Sequence, residues 1–411
     1  MGEITEKQRR LKGWRIVLAC IIAQNLALGL ALGSFGPLLA STQAQFAVSR
    51  TVASSGLSVL TLAMAGLGPF LGAFMERTTP LRAMIAGAAL SAIGYIGLAF
   101  LPSFNLALPM YALTGAGVSL LAIIGPISLI TNYFADHRGK LLAVINLPIG
   151  ALAAPLIVSI LIPQIGRPAL VGGLGGLFAL FIPLLVLLMR DVGKTKGSSH
   201  AKVGDTAGDP ARADQTSVLT NRRFWLLTGA VGVMAGSGMI FAVHIVPFAV
   251  GRGMTLAVAA GVLSCYAAAG IVGNLAFGWV ADRLRPPAAL AISTTIQAFA
   301  WWVLPYGHDL GLFVLAAILG LCELPMTTLH GAALGEIIGP RAISRAMGIS
   351  FALQLPFIVL FAPAAAYLFD HGGSYVIPFR AVAVLLLGAT GVFILLALPS
   401  KGRQLTKMEA G

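Results

Sequence analysis

One acidic residue, Glu323 in the segment LGLCELPM, stands well inside a long apolar run. It lies about 13 residues, or about 20 Å of helical rise, from the start of that run. If the run crosses a bilayer, its carboxyl sits near mid-membrane, where an ionised side chain costs about 2.5–3.5 kcal/mol on insertion scales. Apolar surroundings disfavour the carboxylate, which gives Glu323 the chemistry of a proton carrier. The other reading is a hydrogen-bonded structural glutamate that holds its helix. Pro325 follows two residues later and leaves backbone carbonyls without their helical donors. His244, in FAVHIVP, can change charge near neutral pH or bind a carboxylate when protonated; it can equally be a hydrogen-bonded packing residue. His330 is two helical turns after Glu323 on the same face, either extending a polar track or closing the helix at the interface. Uncharged donors and acceptors are spread over other runs as Gln24, Asn25, Asn146, Asn274, Gln297 and Gln354. Such amides either orient a polar solute or join neighbouring helices. Asn146 and Gln354 each precede a proline (Pro148, Pro356) by two residues.

These residues need apolar helices to position them, and the composition supplies such helices. Of 411 residues, 58% are apolar and 10% charged, with a mean hydropathy of +0.91. Soluble chains carry about a quarter charged residues, so a water-soluble globule is excluded. Twelve runs are long enough to span a bilayer, where about 20 residues are needed. They are 16–40, 52–75, 82–101, 106–131, 141–163, 168–189, 224–249, 256–280, 287–306, 311–334, 346–369 and 375–398. The first is too long for a signal-peptide core, which predicts a retained helix.

The net charge of +13 does not point to nucleic acid, because the bases lie in short loops between the runs. Loops on one side hold 23 of the 27 Lys and Arg residues; the other side holds Arg50, Arg167, Arg252 and Arg380, and only Arg82 and Arg380, each near a run's start, fall inside the bounds of a run. The positive-inside rule then places both termini and the central loop in the cytoplasm. Cys20, Cys265 and Cys322 all lie in apolar runs, without metal or disulfide spacing. No phosphate-binding loop, nucleophile elbow or dinucleotide fingerprint is present. The sequence therefore predicts no enzyme, cofactor or metal, and energy from an ion or solute gradient.

The longest polar stretch, 190–223, reads as a linker between a six-helix unit at 1–189 and another at 224–411. Landmarks recur across it. Gly72–Glu76–Arg77 returns as Gly278–Asp282–Arg283 after 206 residues, Pro148 and Pro155 as Pro356 and Pro363 after 208, and Pro37 as Pro247 after 210. Two parallel six-span repeats with a site between them is the architecture of major facilitator transporters.

The loop GAFMERTTPLR, with Arg77 and Arg82, resembles the G-x-x-x-D-R-x-G-x-R/K-R/K signature of that superfamily; Thr79 stands where its second glycine is usual. GWVADRLRPP keeps Gly278, Asp282 and Arg283. The resemblance implies an all-α integral membrane protein of twelve transmembrane helices in two six-helix repeats. It also implies that the acid–arginine loops gate alternating access; the other reading is that the arginines anchor helix ends.

A narrower resemblance, to monocarboxylate and oxalate–formate type carriers, runs through WRIVLACIIAQNLALGLALGSFGPLLASTQAQFAVSRTVAS, NYFADHRGKLLAVINLPIGALAAP and RFWLLTGAVGVMAGSGMIFAVHIVPF. Asn274 stands where that branch often has a substrate-binding arginine, and the eleventh run has no lysine. On the superfamily's helix map, Asn25, Asn146, His244, Asn274, Glu323 and Gln354 face the substrate. The implied function is secondary transport of a small organic carboxylate by proton symport or anion exchange, in a bacterial inner membrane. Its partners are a small solute, protons and lipid. An exporter of drugs or lipophilic cations, and a transport-inactive sensor, are the other readings.

Overall fold

The computed structural model describes residues 6–126, 129–130, 141, 144–145, 147–189, 218–338 and 343–398, without the side chains of 6–12, 68, 69, 72, 73, 76 and 343–345. Among them every regular element is helical. The chain forms α1 (Glu6–Gly33), α2 (Phe35–Phe46), α3 (Arg50–Gly66), α4 (Gly68–Arg77), α5 (Pro80–Phe100) and α6 (Phe104–Val118), which runs on into a wide turn at Ser119–Ile124. Next come α7 (Ile149–Ile165), α8 (Arg167–Met189), α9 (Arg222–Gly251), α10 (Leu256–Leu284) and α11 (Pro286–Val303). The last are α12 (Asp309–Glu323), α13 (Met326–Ile338), α14 (Ile343–Gly372) and α15 (Val376–Ala397).

The interruptions follow from local chemistry. α3 gives way to α4 at Leu67, just before Gly68 and Pro69. Pro325 separates α12 from α13 because it cannot donate to the carbonyl four residues back. Starts are set by caps: Ser49 accepts from the Val52 amide and Thr79 from the Arg82 amide.

Among the described residues, ten helical stretches are long and apolar enough to cross a membrane. Of the twelve runs in the sequence, the second is divided between α3 and α4. The fifth contributes the 17-residue α7, and part of it lies outside the described residues. The 190–223 linker is described only from 218 onward. One expectation is corrected. Arg167 is not a loop residue but the first residue of α8, and Arg380 lies within α15, so basic residues do enter the spans. Large apolar side chains such as Phe100, Leu180, Leu275 and Leu310 are exposed, while the interior is rich in alanine. That is the packing expected where lipid covers the outside and small residues let helices approach.

The chain divides into two compact units. The first comprises residues 1–205, 240–264 and 359–371, with α5 packed on α8 and α6, α3 on α6, and α1 on α7. At the α1–α7 crossing, a Cβ on Gly29 would strike the backbone of Gly150, so both positions need glycine. The second comprises residues 206–239, 265–358 and 372–411, with α11 at its centre against α15, α12 and α13.

Candidate functional site

In the second unit, Glu323 closes α12 directly before the proline break and is 4% exposed. The Ser237 hydroxyl on α9 donates to the Met234 carbonyl at 2.7 Å and lies 3.4 Å from Glu323 Oε1. Tyr266 on α10 hydrogen-bonds the same carboxyl. Glu323 Oε2 is buried without a hydrogen-bond partner. A Cβ on Gly238 would overlap Glu323 Oε1, so that glycine makes the room in which the carboxyl sits. Beside it, Gln297 donates to Ser293 at 3.0 Å, and Ser293 donates to the Cys322 carbonyl at 2.7 Å. The arrangement holds one carboxyl oxygen with hydroxyls and leaves the other open to a proton or a polar guest, since an unpaired buried oxygen costs about 1–3 kcal/mol.

The same unit carries a second polar cluster. Ser350 lies 2.9 Å from His330 Nε2 and 2.9 Å from the Thr228 hydroxyl, and accepts from Gln354 Nε2 at 3.1 Å. Gln354 and His330 are both buried, and His330 Nδ1 has no hydrogen-bond partner. Gln354 is the fixed donor of this cluster, while the Ser350–Thr228 and Ser350–His330 bonds can run in either direction, so the proton order can reverse along Thr228, Ser350 and His330. The sequence paired His330 with Glu323; the structure gives it Ser350 on α14, which no local signal marks.

His244, Gln24 and Asn25 belong to the first unit. His244 is fully buried, with Nε2 2.9 Å from the Ala362 carbonyl. Gln24 is buried. Asn25 Oδ1 accepts from the Gly150 amide at 2.7 Å while its Nδ2 donates to the Ile21 carbonyl at 3.0 Å. Asn25 thus caps the start of α7, where Pro148 has no side-chain acceptor of its own. Asn274 is exposed on α10, with its amide nitrogen on the Gly270 carbonyl at 3.0 Å. Asn146 lies outside the described residues.

The two copies of the loop signature are built differently. Arg77 and Arg82 are exposed, while the side-chain positions of Gly72 and Glu76 lie outside the described residues. Thr79 has a φ of −90° and caps α5, so no glycine is needed there. In the second copy Asp282 is exposed and Arg283 stacks 3.4 Å from the Trp279 ring centre. A Cβ at Gly278 would meet nothing within 4 Å. The ion pair of this loop is Arg285–Glu336, with Arg285 Nη1 also donating to the Ala397 carbonyl at 2.7 Å. Arg285 holds a φ of +77° at the place of the signature's second glycine.

Helical structure throughout the described residues, many spans, a lipid-type exterior and a buried carboxyl fit a multi-pass membrane transporter. The family model described as Major Facilitator Superfamily matches residues 21–309 and 252–410, and the chain belongs to that superfamily. The rat protein named Monocarboxylate transporter 13 is 27% identical over 395 residues, covering 93% of this chain and 89% of the relative. The Oxalate:formate antiporter of Oxalobacter formigenes is 24% identical over 297 residues, covering 70% and 65%. Among solved structures, a bacterial homologue of the human lysosomal transporter Spinster, in an inward-facing and unoccupied conformation, matches with a TM-score of 0.74 at 16% identity. That match covers 94% of this chain and 97% of the other.

Proposed function

We propose that this transporter carries a small organic monocarboxylate, coupled to protons through Glu323. The observation that carries the reading is the Glu323 carboxyl, buried at a helix break with Oε2 unpartnered and Oε1 against Ser237. A group so placed can take up and release a proton without losing a fixed salt bridge. The names of the relatives support a monocarboxylate. His330, Gln354 and Ser350 supply hydrogen-bonding capacity in the same unit.

The proposed architecture is twelve spans in two repeats, 1–189 and 224–411, joined by a cytoplasmic linker at 190–223. The ten long helices become twelve when α3 with α4, and the run containing α7, are each counted as one interrupted span. The reading puts both termini in the cytoplasm and the protein in a bacterial inner membrane. A cysteine at position 205 should then react with impermeant reagents only from the cytoplasmic side.

The test of substrate class is a proteoliposome screen of monocarboxylates, dicarboxylates and lipophilic cations, with and without an imposed pH gradient. Accumulation of a monocarboxylate driven by an inwardly directed proton gradient, with the outside more acidic, supports the reading. Accumulation of lipophilic cations alone would replace it with an exporter.

A further inference from the structure

Arg167 is the first residue of α8 and only 7% exposed. Its Nη1 donates to Gln45 Oε1 at 2.6 Å and to the Leu98 carbonyl at 3.0 Å, and its Nε lies 3.4 Å from the Thr42 hydroxyl. Tyr111 hydrogen-bonds both Arg167 and Thr42, and the guanidinium lies 5.3 Å from the Phe46 ring centre. Every one of these partners is electrically neutral, and among the described residues no carboxylate pairs with Arg167. A buried charge with no counter-charge is expensive, and the N-terminus of α8 adds partial positive charge at the same place.

A cavity of about 30 Å³ opens beside it within the first unit. Its polar wall is Arg167, Tyr95, Tyr111, Ser34, Thr42 and Thr114, and aliphatic and aromatic groups complete it. Thr42 and Thr114 spend their protons on carbonyls of their own helices, at 2.9 and 2.8 Å. The two tyrosine hydroxyls, which lie against Ser34 and Thr42, and the guanidinium are therefore the groups that can turn an O–H or N–H towards a guest. The volume is about that of two water-sized bodies, the scale of one halide or a formate-sized carboxylate.

We infer that this cavity is a binding site for a small monovalent anion, held by Arg167 and the hydroxyls of Tyr95 and Tyr111. The site lies among α1, α2, α3, α5, α6 and α8 of one unit and does not depend on which solute is transported. Occupancy supplies the missing negative charge and thereby tightens the packing of those helices around Arg167.

The experiment is thermal unfolding of the full-length protein in detergent, titrating sodium chloride, bromide or formate into sodium gluconate at constant ionic strength. Saturable stabilisation by a halide, by formate or by both is expected, and which anion acts names the ligand. Removing the charge-assisted hydrogen bonds in Arg167→Gln should weaken the apparent affinity about tenfold or more. Tyr111→Phe, which keeps the ring, should weaken it less, and provides the variant if Arg167→Gln does not fold. Crystals soaked in bromide should show anomalous density in the cavity. Identical melting in all four salts, or halide stabilisation undiminished in the variants, overturns the assignment.

Discussion

The Ser58 hydroxyl on α3 donates to the Val359 carbonyl on α14, the carbonyl that Pro363 leaves without its helical N–H donor. A counterpart exists 206 residues later, where Ser264 on α10 donates to the Leu152 carbonyl on α7 at 2.7 Å. The roles are reciprocal: α3 and α10 give the hydroxyls, α14 and α7 the carbonyls. Such reciprocity is what the proposed two-fold relation between duplicated halves would produce. On the same side of this unit, Asp370 Oδ2 accepts from the Thr51 amide at 3.0 Å and its hydroxyl at 2.7 Å, capping α3 from the end of α14.

These contacts join α3 to α14 and α10 to α7, so in the proposed two-repeat architecture they should bias the access equilibrium. Ser58→Ala and Ser264→Ala should act alike, each worth about 1 kcal/mol, and the double variant about tenfold or more in the opening equilibrium. With the native cysteines replaced, the measurement is external maleimide labelling of a cysteine placed at Val246, which is 1% exposed. An unchanged labelling rate would remove the pair from gating.

Gly238→Ala should cripple transport, because the new Cβ overlaps Glu323 Oε1. Overpacking of this kind costs about 1–3 kcal/mol, visible as a lower melting temperature. Gly229→Ala on the same helix meets nothing within 4 Å and serves as the control. Equal effects at the two positions would mean that the space around the carboxyl is not limiting.

Asn25→Ala should lower stability by about 1 kcal/mol, as loss of a helix cap does, while the KM for the transported solute stays near wild type. Asn25 has both ends of its amide engaged, and that argues for a cap. A large rise in KM with unchanged stability would instead make it a substrate ligand.

Arg285 and Glu336 should be coupled. The pair is partly exposed, at 41% and 21% side-chain exposure, so a double-mutant cycle should give about 0.2–1 kcal/mol. Arg285→Gly gains from relief of the positive φ while losing the ion pair and the bond to Ala397, so it should destabilise less than Arg285→Ala. The reverse order, read from thermal melts, would show that the backbone conformation is not strained.

The parts of this molecule that could be read from sequence are those with local signatures. Glu323 was legible because an acid in an apolar run has few neutral explanations, and the break beside it followed from the missing N–H of Pro325. The carboxyl's partners were not legible: Ser237 and Tyr266 are ordinary residues on other helices, brought in by packing and by the absence of a side chain at Gly238. Arg167 was misplaced because a basic residue at the edge of a run looks like a loop residue until neighbouring helices bury it. The loop signature left the turn geometry open, since Thr79 and Arg285 replace the same glycine but solve the turn differently, one by capping a helix and the other by tolerating a left-handed backbone. Asn25 reads in sequence either as a substrate amide or as an interhelical bond, because a cap supplied from 125 residues away leaves no trace in local sequence.

The most direct test of the account is proton-coupled uptake by purified protein in proteoliposomes, comparing wild type with Glu323→Gln. The account predicts that the variant folds, inserts and still exchanges solute, yet no longer accumulates it when a pH gradient is imposed. Accumulation by Glu323→Gln that follows the gradient as wild type does would contradict it.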